Sequence, residues 1–582
     1  MYLLREGHSF MVTGEPGTGK SKLLCEMRRL CEAAGHRTYT VALSGLASEN
    51  VRGFGTLHKW AGVQLAAEAA EVYAARIARQ SLHERTARHR WTRGDVLFVD
   101  EVSMLSSALD DKLEEIGRTL RGRDDLPYGG LQIVLFGDFH QLPPVFKGDE
   151  GERYDDEDEE EYLARRYLFR SGVWRRAITR VVVLDVVFRQ RDERLISFLR
   201  RARVGQLTPE DHALMVSRVR LGDDVRGPDG LLATWIFARK DDAAERNRRR
   251  LAQLPGRAFV TLRGETLVQT RAAAHMVETP LAGSDSWDDA REFVNSVSLE
   301  EEFHFKVGAE VLLTVAVPNT RLVNGSRGVI VGVGAKSPDA KAPPADAKAP
   351  PSDAKDARTA PDGAAAPSPS AGEADADLGL GEAPNEKVWV RFKTRDPADQ
   401  PMDQLVMVER AERRYCLVPS EASRPEGEWT KFARVTQMPL MLSYALTMHK
   451  VQGQEYESVH VALDRSVFAP GQAYMAVSRV KTLEGLTLRG GYSPAAFKSD
   501  PQVSAWYAEQ DALARAEVEV ARRVAVLIGR AAARGSGSLR AATLASLMPV
   551  ICEFAGRFVT DVARLAAATV AGARAESAAT AA

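Results

Sequence analysis

Residues 14–21 read Gly-Glu-Pro-Gly-Thr-Gly-Lys-Ser and form the complete consensus of a phosphate-binding loop. The apolar run from Phe10 to Val12 before the loop predicts a strand, and the amphipathic stretch from Lys22 to Leu30 after it predicts a helix. Glycines in such a loop let consecutive backbone N–H groups turn toward phosphate oxygens, while the lysine supplies positive charge and the serine hydroxyl a ligand for Mg²⁺. The sequence therefore predicts an α/β domain that binds nucleotide phosphates through Gly14, Gly17, Thr18, Gly19, Lys20 and Ser21.

Length and charge indicate a globular protein of several domains. A chain of 582 residues exceeds what one hydrophobic core organises, and its 45% of hydrophobic residues is enough for extensive burial. The formal net charge is −1, but residues 149–161 hold ten acidic side chains and one arginine. Without this run, which belongs to an expected acidic loop over 148–161, the rest of the chain carries about +8 and is compatible with a nucleic-acid partner.

The cysteines and the hydropathy pattern bear on the cellular compartment, zinc binding and membrane association. Cys25, Cys31, Cys416 and Cys552 form no C-x-x-C pair, which is typical of a reducing compartment and predicts no zinc site. The sequence contains no apolar stretch approaching 18 residues and no signal-like start. We expect an intracellular protein without a membrane partner, in the nucleus or mitochondrion if the source is eukaryotic.

Two α/β regions flank a β-rich block. In residues 1–187 apolar strands alternate with helical stretches, the pattern of a parallel sheet covered by helices. The strands are expected at Phe10 to Val12, Tyr39 to Leu43, Val96 to Val99, Ile133 to Phe136 and Val181 to Leu184. A second α/β set is expected over 188–300 and 437–500, with strands from Thr234 to Ala238 and within Leu442 to Leu488.

The β-rich block over 301–436 is predicted to be a small barrel inserted in the second α/β region. It contains an Asn324-Gly325 hairpin signal and expected strands from Gly328 to Val333 and from Lys387 to Phe392. Residues 335–386 are too poor in large apolar side chains to fold, which predicts a disordered loop. The tail over 501–582 is rich in Ala and Arg and is predicted to be helical to about 572 and disordered at its end, and we assign no chemistry to it.

Polar residues at two expected strand ends point to nucleotide hydrolysis. Asp100 and Glu101 follow a buried strand, where Asp100 would hold the Mg²⁺ shell and Glu101 would act as base for the attacking water. Gln141 follows the strand from Ile133 to Phe136, and its carboxamide would bond the γ-phosphate and the attacking water together. An amide that loses this partner on hydrolysis suits a sensor.

The ordered strings GEPGTGKS, DEVSM, GDFHQLPPV, VFRQ, LVNGSRGVI, ALTMHKVQGQE and FAPGQAYMAVSRV resemble the PIF-type (petite integration frequency) DNA helicases of superfamily one. The stretch from Leu109 to Ile133 also resembles the signature segment of that family. The resemblance covers residues 8–335 and 386–490. It implies two RecA-like P-loop domains with ATP between them, a wedge insertion over about 59–92 in the first domain, an SH3-like barrel in the second, and a helical tail.

The resemblance also implies an activity: a monomeric ATP- and Mg²⁺-dependent helicase that moves 5′ to 3′ on single-stranded DNA and unwinds forks. Repair, recombination and telomere maintenance are the processes it implies. Its site residues carry over onto matching positions. Arg189 and Arg479 match two arginine fingers that reach from the second domain to the γ-phosphate, and Gly453 and Glu455 match nucleotide contacts. The residues that match contacts to the DNA phosphates are Thr56, His58, Thr447, His449 and Lys450.

Some positions fit the family less well. Trp60 and Phe54 could stack on bases, although aromatics beside apolar runs are more often core. His140 replaces an aromatic residue and is expected to line the DNA channel without a catalytic role. A segment with an adenine-reading glutamine does not precede the first strand, which indicates a truncated gene, poor adenine selectivity or lost activity. We expect truncation, because the downstream strings are whole, and restoring an extension should then lower the ATP requirement.

Two other classes remain open from sequence. One is an interaction protein that binds ATP without hydrolysing it, against which Glu101, Gln141 and both arginines argue. The other is the helicase module of a larger replication or transposon protein, for which no nuclease motif such as a His-x-His metal pair is present in these residues.

Overall fold

A computed structural model describes most of the chain. The described residues are 2–144, 166–271, 275–280, 301–334, 381–382, 387–395, 401–416 and 430–516, with short gaps at 45–46, 49–50, 52, 64–67, 81, 83–85, 221–225, 228–229, 316, 318–319, 321 and 323–324. The acidic loop over 148–161, most of the segment 335–386 and the tail beyond 516 lie outside this set.

The amino-terminal part forms a six-stranded parallel sheet in the order β3-β2-β4-β5-β1-β6. Its strands are β1 (Ser9–Gly14), β2 (Thr38–Ala42), β3 (Gly55–Thr56), β4 (Val96–Asp100), β5 (Gln132–Gly137) and β6 (Ile178–Leu184). Every residue of β4 and β5 is buried, as continuous apolar runs in a sheet covered on both faces require. The five strands expected from sequence are confirmed within two or three residues at their ends.

Helices cover this sheet, and we call the whole unit lobe 1. They are α1 (Tyr2–Arg5), α2 (Lys20–Ala33), α3 (Leu57–Ala61), α4 (Ala70–Ala78), α5 (Ala87–Arg93), α6 (Ser107–Arg121) and α7 (Trp174–Ala177). Their starts follow ordinary capping rules. The Ser106 side chain accepts from the Leu109 N–H at 3.2 Å to begin α6, and Gly122, at φ 63°, ends it.

A second, four-stranded parallel sheet in the order β20-β7-β21-β22 forms the core of lobe 2. Its strands are β7 (Thr234–Phe237), β20 (Ala445–Thr447), β21 (Val459–Leu463) and β22 (Leu486–Tyr492). Its helices are α8 (Glu193–Arg203), α9 (Pro209–Ser217), α10 (Lys240–Gln253) and α11 (Gln472–Val477). Residues 185–192 connect β6 of lobe 1 to α8, so the chain enters lobe 2 directly beside the phosphate-binding loop.

Antiparallel strands lie between β7 and β20 in sequence, and those over 259–280 precede the β-rich block predicted over 301–436. The main sheet has the order β16-β15-β13-β12-β19, and two smaller sheets have the orders β10-β9-β18-β17 and β11-β8-β14. The strands are β8 (Phe259–Leu262), β9 (Gly264–Arg271), β10 (His275–Pro280), β11 (Glu302–Phe305), β12 (Glu310–Leu313), β13 (Arg327–Val333), β14 (Gly381–Glu382), β15 (Lys387–Arg395), β16 (Pro401–Glu409), β17 (Ala411–Cys416), β18 (Thr430–Gln437) and β19 (Leu440–Leu442).

The Asn324-Gly325 signal marks a hairpin, but not a two-residue turn. Strands β12 and β13 pair antiparallel, and the Gly325 N–H donates to the Leu313 carbonyl at 2.8 Å. The connection spans residues 314–326, and Asn324 itself lies outside the described residues. Gly325, at φ 95°, therefore ends a long loop rather than forming a short one.

The chain returns to lobe 1 after β22. Residues 501–516 form a helix, α12, whose residues Val503, Trp506 and Tyr507 belong to the same buried cluster as lobe-1 side chains. Phe497, only a few residues earlier, belongs to the core of lobe 2. The tail, to which the sequence assigned no chemistry, thus begins as an element that joins the two lobes. No helix among the described residues is both long and apolar enough to cross a bilayer.

Candidate nucleotide site and nucleic-acid track

The phosphate-binding loop lies between β1 and α2, as predicted. Gly17 and Gly19 have φ values of 87° and 84°, in the left-handed region that favours glycine. A Cβ added at Gly17 would lie 2.6 Å from the Cβ of Arg189, so a larger residue does not fit there. The Lys20 ammonium donates to the carbonyls of Gly14 at 2.7 Å and Glu15 at 2.9 Å. The loop therefore encloses the Lys20 ammonium, whose hydrogen bonds to these carbonyls can be replaced by bonds to an anion, which is a stronger acceptor.

Three carboxylates surround Lys20. Burial lowers the pKa of Lys20, and Asp138, Glu101 and Asp100 act against that shift. Asp100 is the last residue of β4, and its Oδ2 accepts from the Ser21 hydroxyl at 3.0 Å. Burial and the adjacent Glu101 raise the pKa of Asp100 to about 7. The Ser21 hydroxyl and the Asp100 carboxylate thus offer two neighbouring oxygen ligands of the kind that a divalent cation binds.

Glu101 points toward lobe 2. Its backbone has φ 53°, an uncommon conformation for a residue other than glycine, and it directly follows β4. The Gln452 amide of lobe 2 donates to Glu101 Oε2 at 3.0 Å and to the Ser103 hydroxyl at 3.3 Å. The acidic residue predicted to act as a base is therefore held by a contact that crosses between the lobes.

Gln141 and Arg479 meet across the same cleft. The Arg479 Nη2 donates to Gln141 Oε1 at 3.4 Å, although the two residues are 338 positions apart. Arg479 is fully buried and is also held by the carbonyls of Met475 at 2.9 Å and Gln454 at 3.3 Å. Burial and the neighbouring Arg189 together lower the pKa of Arg479 to about 10. Two guanidinium groups that repel each other inside a cleft favour an anion between them.

Arg189 contacts both sides of the cleft. It lies in the connection between β6 and α8, where its own N–H donates to the Gly17 carbonyl of the phosphate-binding loop at 3.3 Å. Its side chain donates to Glu455 Oε1 at 2.9 Å and to the Ser478 carbonyl at 3.3 Å. Gly453, at φ 79°, lies in the turn that leads to Glu455. The structure thus brings Arg189, Glu455 and Arg479 together, with Arg189 between the loop and lobe 2.

Three residues of this cleft were not identified from sequence. Gln190 is buried, and its Nε2 donates to the Val480 carbonyl at 2.9 Å and the Ser478 carbonyl at 3.4 Å, on either side of Arg479. The Phe188 ring is 72% exposed beside Gly19. Gln452 holds Glu101. Gln190 and Phe188 lie in the VFRQ string that the sequence analysis had singled out. Only the arginine of that string carries a charge, so it alone was assigned a role.

The predicted DNA-contacting residues lie at the carboxyl ends of two edge strands. Thr56 ends β3 and caps α3, with its hydroxyl accepting from the Lys59 N–H at 3.3 Å. Thr447 ends β20 and precedes a 3₁₀ helix, Met448–Val451, that contains His449 and Lys450. Burial lowers the pKa of both His58 and His449, with Lys240 contributing at His449. Both imidazoles are therefore neutral donors or acceptors near neutral pH.

The structure confirms the core alternative for Trp60 and corrects the expectation for His140. Trp60 is fully buried, its ring 4.7 Å from that of Trp91, so it is a core residue and cannot stack on a base. His140 is 4% exposed and stacks on Tyr507 at 4.8 Å instead of facing a channel. Phe54 is 38% exposed and its ring lies beneath the Arg90 guanidinium at 4.6 Å. Trp91 of α5 covers Trp60, whereas Tyr507 of α12 covers His140.

A phosphate-binding loop in a cleft between two lobes built on parallel sheets, with Arg479 of the opposite lobe beside it, places the chain among the P-loop NTPases with two RecA-like lobes. Residues 2–220 match the family described as PIF1-like helicase. Over this part of the chain, which includes lobe 1 and the start of lobe 2, the protein is similar to PIF1-like helicases.

Individual relatives extend the likeness beyond lobe 1. ATP-dependent DNA helicase RRM3 of Saccharomyces cerevisiae is 29% identical over 521 residues, which cover 88% of this chain and 66% of that protein. ATP-dependent DNA helicase PIF1 of the same species is 31% identical over 537 residues, covering 83% of this chain and 58% of that protein. The chain thus spans about three fifths of the length of these relatives.

Solved structures give the same architecture. A crystal structure of Pif1 helicase from Candida albicans has a TM-score of 0.64 and 25% identity, and the match covers 87% of this chain and 98% of that one. Pif1 helicase from Bacteroides in complex with ADP-AlF3 and ssDNA has a TM-score of 0.56 at 20% identity, covering 87% of this chain and 94% of that one. The latter likeness concerns the fold alone.

Proposed function

We propose that this chain is an ATP-dependent DNA helicase that couples ATP hydrolysis to movement along single-stranded DNA. The observation that carries the proposal is the contact between Arg479 of lobe 2 and Gln141 of lobe 1, 3.4 Å apart beside the phosphate-binding loop. A residue that must cross a cleft to complete a site makes hydrolysis depend on how far the lobes are closed. The same function is supported by the similarity to the ATP-dependent DNA helicases RRM3 and PIF1 and to a Pif1 helicase in complex with ssDNA.

The nucleotide would bind through the loop. Backbone N–H groups around Gly14, Gly17, Thr18 and Gly19 would take the phosphates, and Lys20 would leave its two carbonyl acceptors for phosphate oxygens. The exposed Phe188 ring beside Gly19 offers a platform on which the base could stack. Gly453 and Glu455 would approach from lobe 2.

Mg²⁺ would be held by Ser21 and Asp100, whose side chains already lie within hydrogen-bond distance. The ion would supply positive charge next to the phosphates. It would also compensate the buried charge that raises the pKa of Asp100.

Hydrolysis would use groups from both lobes. Glu101 would take the proton of the attacking water, and the contact from Gln452 orients its carboxylate before the nucleotide arrives. Gln141 would bond the γ-phosphate and the water. Arg479 and Arg189 would stabilise charge on the transferring phosphoryl group, an effect worth ~10³ to 10⁵ in rate.

Single-stranded DNA would cross the two edge strands that end in Thr56 and Thr447. With Thr56 and His58 on one lobe and Thr447, His449 and Lys450 on the other, two grips would hold one phosphate backbone. Opening and closing of the cleft would change the distance between the grips and so move the strand. Because such contacts go to phosphate, affinity should depend strongly on salt and weakly on base sequence.

The proposal extends to domain limits and cellular role. We assign residues 1–187 to the first RecA-like domain, with a wedge over 59–92, residues 188–300 and 437–500 to the second, 301–436 to an SH3-like insertion, and 501–582 to a helical tail. We also propose 5′-to-3′ polarity, forked DNA as substrate, a monomeric state and intracellular work in repair, recombination and telomere maintenance.

The test is unwinding of duplexes that carry either a 5′ or a 3′ single-stranded overhang, with ATP and Mg²⁺. We expect strand separation only with the 5′ overhang, and none when Lys20→Ala replaces the wild type. Phosphate release measured in the same reactions separates a helicase from a protein that only binds ATP. Equal unwinding of both substrates would refute the polarity, and absence of phosphate release would refute the function.

A further inference from the structure

The carboxy-terminal helix α12 places a single phenol inside lobe 1, next to the nucleotide cleft. Tyr507 is 9% exposed, and its hydroxyl lies 2.7 Å from the Thr13 hydroxyl, 3.1 Å from Asp138 Oδ1 and 3.2 Å from the Phe139 backbone nitrogen. Thr13 is the residue before Gly14 of the phosphate-binding loop, and Asp138 and Phe139 begin the loop that ends in Gln141. One oxygen therefore touches both segments that carry the nucleotide-facing groups of lobe 1.

The three contacts use the full hydrogen-bonding capacity of the phenol. A tyrosine hydroxyl has one proton to donate and two lone pairs that accept. The Asp138 carboxylate can only accept, so the Tyr507 hydroxyl donates its hydrogen bond to Asp138. The Phe139 N–H can only donate, so the Thr13 hydroxyl donates to the remaining lone pair. Burial raises the pKa of Tyr507 and the Asp138 charge raises it further, so the phenol stays protonated in the working pH range.

Asp138 connects this phenol to lobe 2. Its carboxylate is fully buried and accepts from the Arg203 guanidinium at 2.9 Å and from the Tyr474 hydroxyl at 3.3 Å. Although burial opposes its ionisation, Arg203 holds the pKa of Asp138 at about 2. The Arg203 guanidinium also lies over the Tyr507 ring at 4.5 Å. Residues from α8 and α11 of lobe 2 and from α12 thus surround one lobe-1 carboxylate.

Apolar contacts fix the helix that carries Tyr507. The Trp506 ring lies 5.0 Å from Phe139 and 5.2 Å from Phe169, and His140 stacks on the Tyr507 ring at 4.8 Å. The helix start is held separately, because the Tyr167 hydroxyl donates to Asp500 at 2.6 Å. The phenol therefore sits at a fixed point of a rigid helix.

We propose that Tyr507 is a positioning residue for ATP hydrolysis, which sets the Gln141 loop against the phosphate-binding loop. This inference rests on the proposed function. Tyr507 touches no reacting atom; it acts through Thr13 on the strand before the phosphate-binding loop and through Asp138 and Phe139 on the Gln141 loop. The helix that follows lobe 2 is thereby part of the ATPase unit.

The experiment compares two variants. Each loses the hydroxyl of one tyrosine that attaches α12 to lobe 1. Tyr507→Phe removes the contacts to Thr13, Asp138 and Phe139 but keeps the ring packing. Tyr167→Phe, the matched control, removes the contact to Asp500 and leaves the Gln141 loop unchanged. Steady-state ATP hydrolysis is measured on the full chain with single-stranded DNA and Mg²⁺, together with the melting temperature of each variant.

We expect Tyr507→Phe to lower kcat on the order of tenfold, as one misplaced loop contact would, with KM for ATP within about twofold. Tyr167→Phe should keep the wild-type kcat. Equal kcat values for the two variants, or equal losses of kcat that follow equal losses of melting temperature, would overturn the positioning role. If Tyr507→Phe does not fold, Thr13→Val decides, because it removes one of the three contacts from the other side and should lower kcat several-fold without changing KM.

A wild type that releases no phosphate would overturn the proposed function and this inference together. A wild type that hydrolyses ATP while Tyr507→Phe and Thr13→Val keep its kcat would overturn the inference alone.

Discussion

In the nucleotide cleft, side chains from both lobes touch one another, whereas the residues of the proposed DNA track are placed by their own lobes. Gln452 reaches Glu101 and Arg479 reaches Gln141 across the cleft. Thr56, by contrast, caps α3 within lobe 1, and Thr447 ends β20 within lobe 2. The difference suggests a division of work, in which the cleft senses the relative position of the lobes and each half of the track grips independently of the other.

The largest expected effect is at Arg479. Arg479→Ala removes a guanidinium held between Gln141 and the second arginine, so kcat for ATP hydrolysis should fall by about 10³ or more. Affinity for single-stranded DNA should change little, since Arg479 lies in the nucleotide cleft, where it donates to Gln141, Met475 and Gln454. The matched control is Arg465→Ala, an exposed arginine of lobe 2. Loss of DNA affinity as large as the loss of kcat would break the comparison.

Lys20 tests the lobe-1 side of the cleft. Lys20→Ala should lower kcat by about 10² to 10³, because it removes a positive charge that faces the phosphates in a water-poor site. Lys22→Ala, two residues along on the exposed face of α2, should behave as the wild type. Binding of single-stranded DNA, measured by fluorescence anisotropy, should be retained by both variants. A Lys20→Ala protein that still hydrolyses ATP at the wild-type rate would remove the loop from the mechanism.

Smaller effects on DNA binding are expected for substitutions in the track, and their salt dependence should differ between charged and neutral side chains. Lys450→Ala should weaken DNA binding several-fold and reduce the slope of log K against log salt by about 0.7, the value for one phosphate contact on a single strand. His58→Ala should weaken binding without changing the slope, because burial lowers the pKa of His58 and leaves it neutral. Arg170→Ala, an exposed residue of lobe 1, is the control. Identical slopes for Lys450→Ala and the wild type would argue against a phosphate contact.

The smallest effect is that of pH on the track. Burial lowers the pKa of His58 and of His449 from 6.5, so both stay neutral as pH falls from 8 to 6.5, and neither gains charge for phosphate. We therefore expect DNA affinity at fixed ionic strength to change less than about twofold over this range. A several-fold rise toward pH 6.5 that disappears in His58→Ala would show that the imidazole is charged on DNA.

The cleft was more predictable from sequence than the rest because its parts are local. The phosphate-binding loop, Asp100 and Glu101 each follow a buried strand within a few residues. A short stretch of sequence therefore predicts the strand, the turn and the functional side chain together. The contacts of Arg189 were less predictable, because its backbone N–H donates to Gly17 of the phosphate-binding loop while its side chain reaches Glu455 and Ser478 of lobe 2.

Contacts between distant residues were not predictable. Tyr507 meets Thr13 across 494 positions, and no periodicity in an Ala- and Arg-rich tail distinguishes it from its neighbours. Trp60 and His140 were candidates for DNA contact, but their burial depends on Trp91 and Tyr507, which pack against them from other elements. The same spatial information decides the role of Gln190, whose partners flank Arg479.

The central claim is that completion of the cleft by lobe 2 ties ATP hydrolysis to DNA. The most direct measurement is the single-turnover rate of phosphate release from ATP, with and without single-stranded DNA, for the wild type and for Arg479→Ala. We predict that DNA accelerates release in the wild type by at least about tenfold and has no such effect on Arg479→Ala. Release that is equally fast without DNA, or DNA stimulation that persists in Arg479→Ala, would contradict the claim.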